Sequence, residues 1–144
     1  MVEFHELERP NNLVSEENTS EWLVHLIQQH EMQLGEINVV FHSDEGLLEL
    51  NQERLNHNTL TDIITEDFVI GSVVSGDLHI SVDRIMENAN SFEVTPEKEM
   101  LRVIAHGVLH LLGYKDKTVE NSELMRAAEE KALRMYSALF HVEL

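Results

Sequence analysis

Thr95-Pro-Glu-Lys-Glu-Met-Leu-Arg-Val-Ile-Ala-His106-Gly-Val-Leu-His110-Leu-Leu-Gly113-Tyr-Lys-Asp116 is the stretch from which the fold is read. Thr95 can cap a helix by accepting from a free backbone N–H, and Pro96 sits at the first helical position, where its missing N–H is tolerated. Glu97 and Glu99 put negative charge in the first turn, where the helix dipole favours it. Gly113 suits a left-handed C-cap, so the stretch predicts a helix ending at Leu112. At about 100° per residue, Leu101, Ala105, Val108 and Leu112 gather on one side. His106 and His110, four apart, project together from the opposite side. The helix therefore offers the interior an apolar stripe and turns an imidazole pair the other way.

Two imidazoles can share a metal ion, but a catalytic site needs a third protein ligand and an open position for water. Gly113 turns the chain, and Asp116 is the first strong ligand after that turn. The chain has no cysteine, so any ion must be held by nitrogen and oxygen. His106, His110 and Asp116 resemble the ligand sets of catalytic zinc sites and of open non-haem iron sites, and the residues do not choose between them. Gly107 stands where His-Glu-x-x-His peptidases carry their general base, so the chain does not follow that design.

Outward from this helix, the pattern predicts an α+β fold, a small mixed sheet covered by helices with a zincin-like metal-site helix. Upstream, Ser20 is the expected cap of a helix to about Met32, with Trp22, Leu23, Leu26 and Ile27 on one side. Glu36 to His42 reads as a strand, and Ser43 or Asp44 caps a helix through Leu47, Leu48 and Leu50. Asn56 to Thr59 has loop composition. Thr61–Thr65 and Gly76–Val82 read as strands joined through Phe68 to Val74. Helices are expected from about Asp83 to Ser91 and from Val119 to Phe140. No repeat, linker or composition shift divides the 144 residues, so one domain is expected.

Ten Lys and Arg against twenty-seven Asp and Glu give a net charge of −17, the opposite of the basic footprint of most nucleic-acid binders. A cleft can still differ locally, and a bound divalent ion is itself a large positive charge. Met1 to Pro10 lacks a basic start followed by an apolar run, and no later stretch is long and apolar enough to span a bilayer. A cytoplasmic protein without a membrane partner is the expectation. The acidic runs around Glu3, Glu16 and Glu129 read as solvated faces, and Met86, Met100, Met125 and Met135 as packing residues. His57 reads as a loop residue and His79 as a structural one.

The segment His106-Gly107-x-Leu109-His110-Leu111-x-Gly113-Tyr114 resembles the signature of the bacterial YbeY family of metal-dependent, single-strand-specific endoribonucleases. Leu50-Asn51 followed by Thr61-Asp62-Ile63-Ile64, and Gly76-Asp77-Leu78 with Ile80-Ser81, resemble the same family in the same order. The resemblance covers roughly Leu50 to Asp116. It implies one zinc ion, RNA and ribosomal particles as partners, no expected DNA partner, and a role in 16S rRNA maturation and ribosome quality control. The chain departs from the family where Lys115-Asp116 replaces the usual Asp-His. The extra carboxylate predicts tolerance of harder ions such as Mn²⁺. Arg54-Leu55 stands where the family has Tyr-Arg, which makes Arg54 the candidate phosphate-binding residue. Asn58 replaces a usual acid, and Glu66 an aromatic residue. No general base is identified. Two rivals remain, a ribosome assembly factor with a structural metal and a metal hydrolase acting on a small substrate.

Overall fold

A computed structural model describes residues 1–144. In chain order the elements are β1 (Val2–Glu6), α1 (Glu16–Gln29), β2 (Gln33–His42), α2 (Asp44–Leu55), β3 (Ile63–Asp67), β4 (Val73–Ser81), α3 (Val82–Phe92), α4 (Pro96–Leu111) and α5 (Val119–Phe140). The strands form one sheet in the order β1-β2-β4-β3. β1 and β4 both run parallel to β2, while β3 and β4 form an antiparallel pair, so the sheet is mixed as expected. No helix is long and apolar enough to cross a membrane.

Side chains alternate across a strand, so each strand divides its residues between two faces. On one face Ile37, Val39, Phe41, Val74, Leu78 and Ile80 are buried in the main core with residues of α1, α4 and α5. Trp22 is the long-range tie there. Its indole N–H donates to the Ala132 carbonyl at 2.8 Å, and its ring meets Tyr136 edge-on at 5.3 Å. α2 contacts β2, β3 and β4 without extensive contact to α1, α4 or α5, which places it over the second face. Val40, Ile64 and His79, of opposite parity, are buried on that side.

Several boundaries move. Ser15, not Ser20, caps α1: its Oγ accepts from the Asn18 N–H at 3.1 Å, while the Ser20 hydroxyl lies inside the helix and donates to the Glu16 carbonyl. The earlier start gains Glu16 and Glu17 in the first turn, where the dipole favours them. β1 has no counterpart in the sequence reading. Its alternation of Val2 and Phe4 with Glu3 and His5 is too short to signal a strand alone, and pairing with β2 decides it. Ser43, of the two expected caps, is the one that caps α2. Met86 is exposed rather than packed, because α3 turns that position away from the core.

α4 begins at its predicted Thr95 cap. It ends with the Gly113 N–H bonded to the His110 carbonyl and the Tyr114 N–H to the Leu109 carbonyl, both at 3.0 Å. This pairing is a Schellman motif, and the Gly113 φ of 105° is the left-handed turn it requires. Gly107 fixes the depth of the helix on the sheet. A Cβ there would lie 2.8 Å from both Ile63 Cδ1 and Leu78 Cδ2.

Candidate metal centre

His106 and His110 are half-buried on the face of α4 that looks away from the core, and their Nε2 atoms lie 3.0 Å apart. The turn after Gly113 brings Asp116 back to them, with Oδ2 3.2 Å from His106 Nε2 and 3.3 Å from His110 Nε2. The structure thus brings together the three residues that spacing selected.

The other ring nitrogens decide what these atoms can do. His110 Nδ1 lies 3.0 Å from the Tyr114 carbonyl oxygen, which only accepts, so this nitrogen carries the proton. His106 Nδ1 lies 2.6 Å from Glu129 Oε2 and is protonated for the same reason. Both neutral rings therefore turn bare Nε2 lone pairs toward each other and toward a carboxylate oxygen. Three acceptors at this spacing repel one another unless a metal ion or an added proton sits among them. The donor set therefore fits a divalent ion, with imidazole tautomers held by partners of the kind found around metal-bound histidines.

Those partners are themselves anchored. The Tyr114 hydroxyl donates to His30 Nε2 at 3.1 Å, because His30 Nδ1–H is committed to the Leu26 carbonyl. α1 thereby holds the loop whose carbonyl orients His110. Glu129 is buried and accepts from Arg102 Nη1 at 3.2 Å through its second oxygen. Arg102 also forms a two-pronged bond to buried Glu99, at 2.9 and 2.8 Å, and lies 3.9 Å from Asp62. This corrects the reading of Glu129 as part of a solvated face. It occupies the helical spacing of Met125, Ala132, Leu133 and Tyr136, the other buried residues of α5. A carboxylate on an apolar stripe was the available signal.

Charge follows from this wiring. Burial opposes protonation of His106, but Glu129, Asp116 and Asp62 outweigh it, so in the metal-free protein its pKa is raised above the ordinary 6.5. Burial pushes Asp62 above the usual carboxylate range, against the pull of Arg102 and His106.

The cleft beside these residues is also lined by Arg54, His57, Lys115 and Lys117 on the basic side and by Asp62, Glu66 and Asp67 on the acidic side. Local charge is near balance, so the strong net acidity belongs to the rest of the surface. Arg54 reaches this cleft from the last turn of α2, where it is tied to Glu66. His57 is exposed on the cleft rim. His79 is buried in β4 and bonded to Glu66 and His42.

Residues 5–137 match the family model described as Endoribonuclease YbeY. The chain is 45% identical over 143 residues to the Endoribonuclease YbeY of Flavobacterium johnsoniae, covering 99% of each. It is 46% identical over 122 residues to that of Flavobacterium psychrophilum, covering 85% of this chain and 84% of the relative. The solution structure of TM1509 from Thermotoga maritima is similar in fold, with a TM-score of 0.69 at 27% identity, covering 98% of this chain and 92% of the other. Signature, sheet and sequence identity over nearly the whole length agree: the chain belongs to the YbeY family of endoribonucleases, hydrolases that act on RNA.

Proposed function

We propose that residues 1–144 form a single cytoplasmic domain that cuts single-stranded RNA internally, during 16S rRNA maturation on ribosomal particles. It would use one zinc ion held by His106, His110 and Asp116. The observation that carries this reading is the convergence of two imidazole Nε2 atoms and one carboxylate oxygen at the side of a cleft. A divalent ion bound there supplies Lewis acidity, polarising a phosphoryl oxygen and lowering the pKa of water.

The chain's own residues supply the rest. Glu129 and the Tyr114 carbonyl hold the two rings in the tautomer that leaves Nε2 free. Arg54, with Lys115 and Lys117 along the same cleft, offers cations to the RNA phosphates. Asp62, kept easier to protonate by burial, is the cleft carboxylate suited to take a proton from attacking water or from the RNA 2′-hydroxyl.

Cleavage of an end-labelled single-stranded RNA by wild type and by His106→Ala tests the reading. Losing the metal forfeits several kcal/mol of transition-state stabilisation, on the order of 10³-fold in rate. Equal cleavage by the variant would assign the activity to a contaminant and sink the proposal. Metal binding without cleavage by wild type would favour an assembly factor instead. Zn²⁺ and Mn²⁺ titrations of wild type and Asp116→Ala test the third ligand, since unchanged affinity removes Asp116 from the site. Co-sedimentation with small ribosomal subunits tests the particle partner.

A further inference from the structure

The second face of the sheet carries a chain of four titratable groups, of which only Glu66 borders the cleft described above. Glu8 Oε1 lies 3.2 Å from His42 Nδ1, His42 Nε2 lies 2.9 Å from His79 Nδ1, and His79 Nε2 lies 2.9 Å from Glu66 Oε1. Both imidazoles are buried, His79 to nine-tenths. Three links need three protons, but two neutral imidazoles hold two and ionised carboxylates none. One link must therefore join two acceptors unless a cation completes it. At the Glu8 end the Ser43 backbone N–H also donates to Oε1, at 3.4 Å, and no third ligating side chain joins it. At the Glu66 end Asp77 does: it is the cross-strand partner of Glu66, and it lies two residues from His79 on the same face of β4.

We propose that Glu66, Asp77 and His79 form a second divalent-cation site on the β3–β4 pair, separate from the histidine pair of α4. One ligand atom from each of the three lies within 4.8 Å of the others, a span that small side-chain rotations close to the bond lengths of about 2.0–2.2 Å that such ions need. His79 would ligate through Nε2 and donate its Nδ1–H to His42 Nε2, while the His42 Nδ1–H donates to Glu8 Oε1. This is the same outward wiring that Glu129 gives His106. Arg54 binds the other oxygen of Glu66, leaving Oε1 facing His79 Nε2 and offsetting part of the excess negative charge. Asp77 spends one oxygen on the Asn38 side-chain amide at 2.9 Å, which fixes its orientation. An extra proton on His79 is the competing way to complete the link. Burial and the neighbouring His42 hold the His79 pKa below its ordinary 6.5, which works against that proton at neutral pH. One imidazole nitrogen and two carboxylates suit Zn²⁺ or Mn²⁺.

Equilibrium dialysis of the purified protein against Zn²⁺, with the metal counted by mass spectrometry, tests the site. Wild type should hold two ions, Glu66→Gln one, and the double variant His106→Ala/His110→Ala one. Histidine ¹⁵N spectra give a second measurement in intact wild type. Zn²⁺ should move the His79 proton from Nε2 to Nδ1, and Glu66→Gln should abolish that change. A single ion in wild type, two ions retained by Glu66→Gln, or a His79 that is doubly protonated with Zn²⁺ present would each overturn the proposal. Circular dichroism of Glu66→Gln confirms its folding, and if the double histidine variant does not fold, the Glu66→Gln count and the spectra still decide.

Discussion

Two histidine pairs in this protein have ring nitrogens within 3.0 Å of each other, yet they are wired differently. On α4 the rings meet Nε2 to Nε2, each with its Nδ1 proton committed to an acceptor behind it. On the sheet they meet Nε2 to Nδ1, so a single proton can bridge them. The first arrangement converges lone pairs on one point, while the second passes a proton along a line and leaves its free lone pair at an end. Proximity of imidazoles therefore says little about metal binding. The groups behind the rings decide it.

Removing a ring from the converging pair breaks the comparison most directly. His106→Ala should abolish cleavage to within the background of the assay, whereas His79→Ala should reduce it far less once its stability loss is matched by working at lower temperature. Comparable losses in both would mean that the two pairs serve one site.

Glu129→Gln keeps the shape but weakens the hold on the His106 proton. Losses from such outer partners run to about 10–100-fold in metal affinity. Competition with a chelating dye reads the change at the α4 cluster, where Glu66→Gln should leave affinity unaltered.

Metal-free stability against pH should separate the pairs by sign. The folded pKa of His106 is raised, so its contribution is complete below the unfolded value of 6.5 and is lost as pH rises through the higher folded value. His79 is depressed, so its contribution is present above 6.5 and is lost as pH falls from there through the lower folded value. Urea unfolding in chelator, comparing His106→Gln and His79→Gln with wild type, should show opposite changes in pH dependence. The same sign in both would contradict the wiring.

Arg54→Ala should have the smallest effect. If Arg54 contacts one phosphate, the slope of log affinity for single-stranded RNA against log salt should fall by about 0.7. An unchanged slope leaves Arg54 as no more than the partner of Glu66.

How much of this could be read in advance follows the range of the forces involved. The Thr95 cap, the Gly113 turn and the shared face of His106 and His110 were all legible, because each depends on residues within one or two turns. Asp116 was legible through the turn that precedes it. The start of α1 was misread because Ser15 and Ser20 are both good caps, and the acids after Ser15 favour the earlier one. β1 was missed because five residues of alternation acquire meaning only beside β2.

By itself the sequence determined an α+β chain with a histidine helix closed by a glycine, and a signature shared with the YbeY family, because helix caps, periodicity and motif spacing are local. Only the tertiary structure decided that Glu129 of α5 and the Tyr114 carbonyl hold the protons of the two rings. It alone set His42, His79 and Glu66 in a line across three strands. Protonation depends on which acceptor lies behind each nitrogen, and those acceptors come from elements that packing brings together.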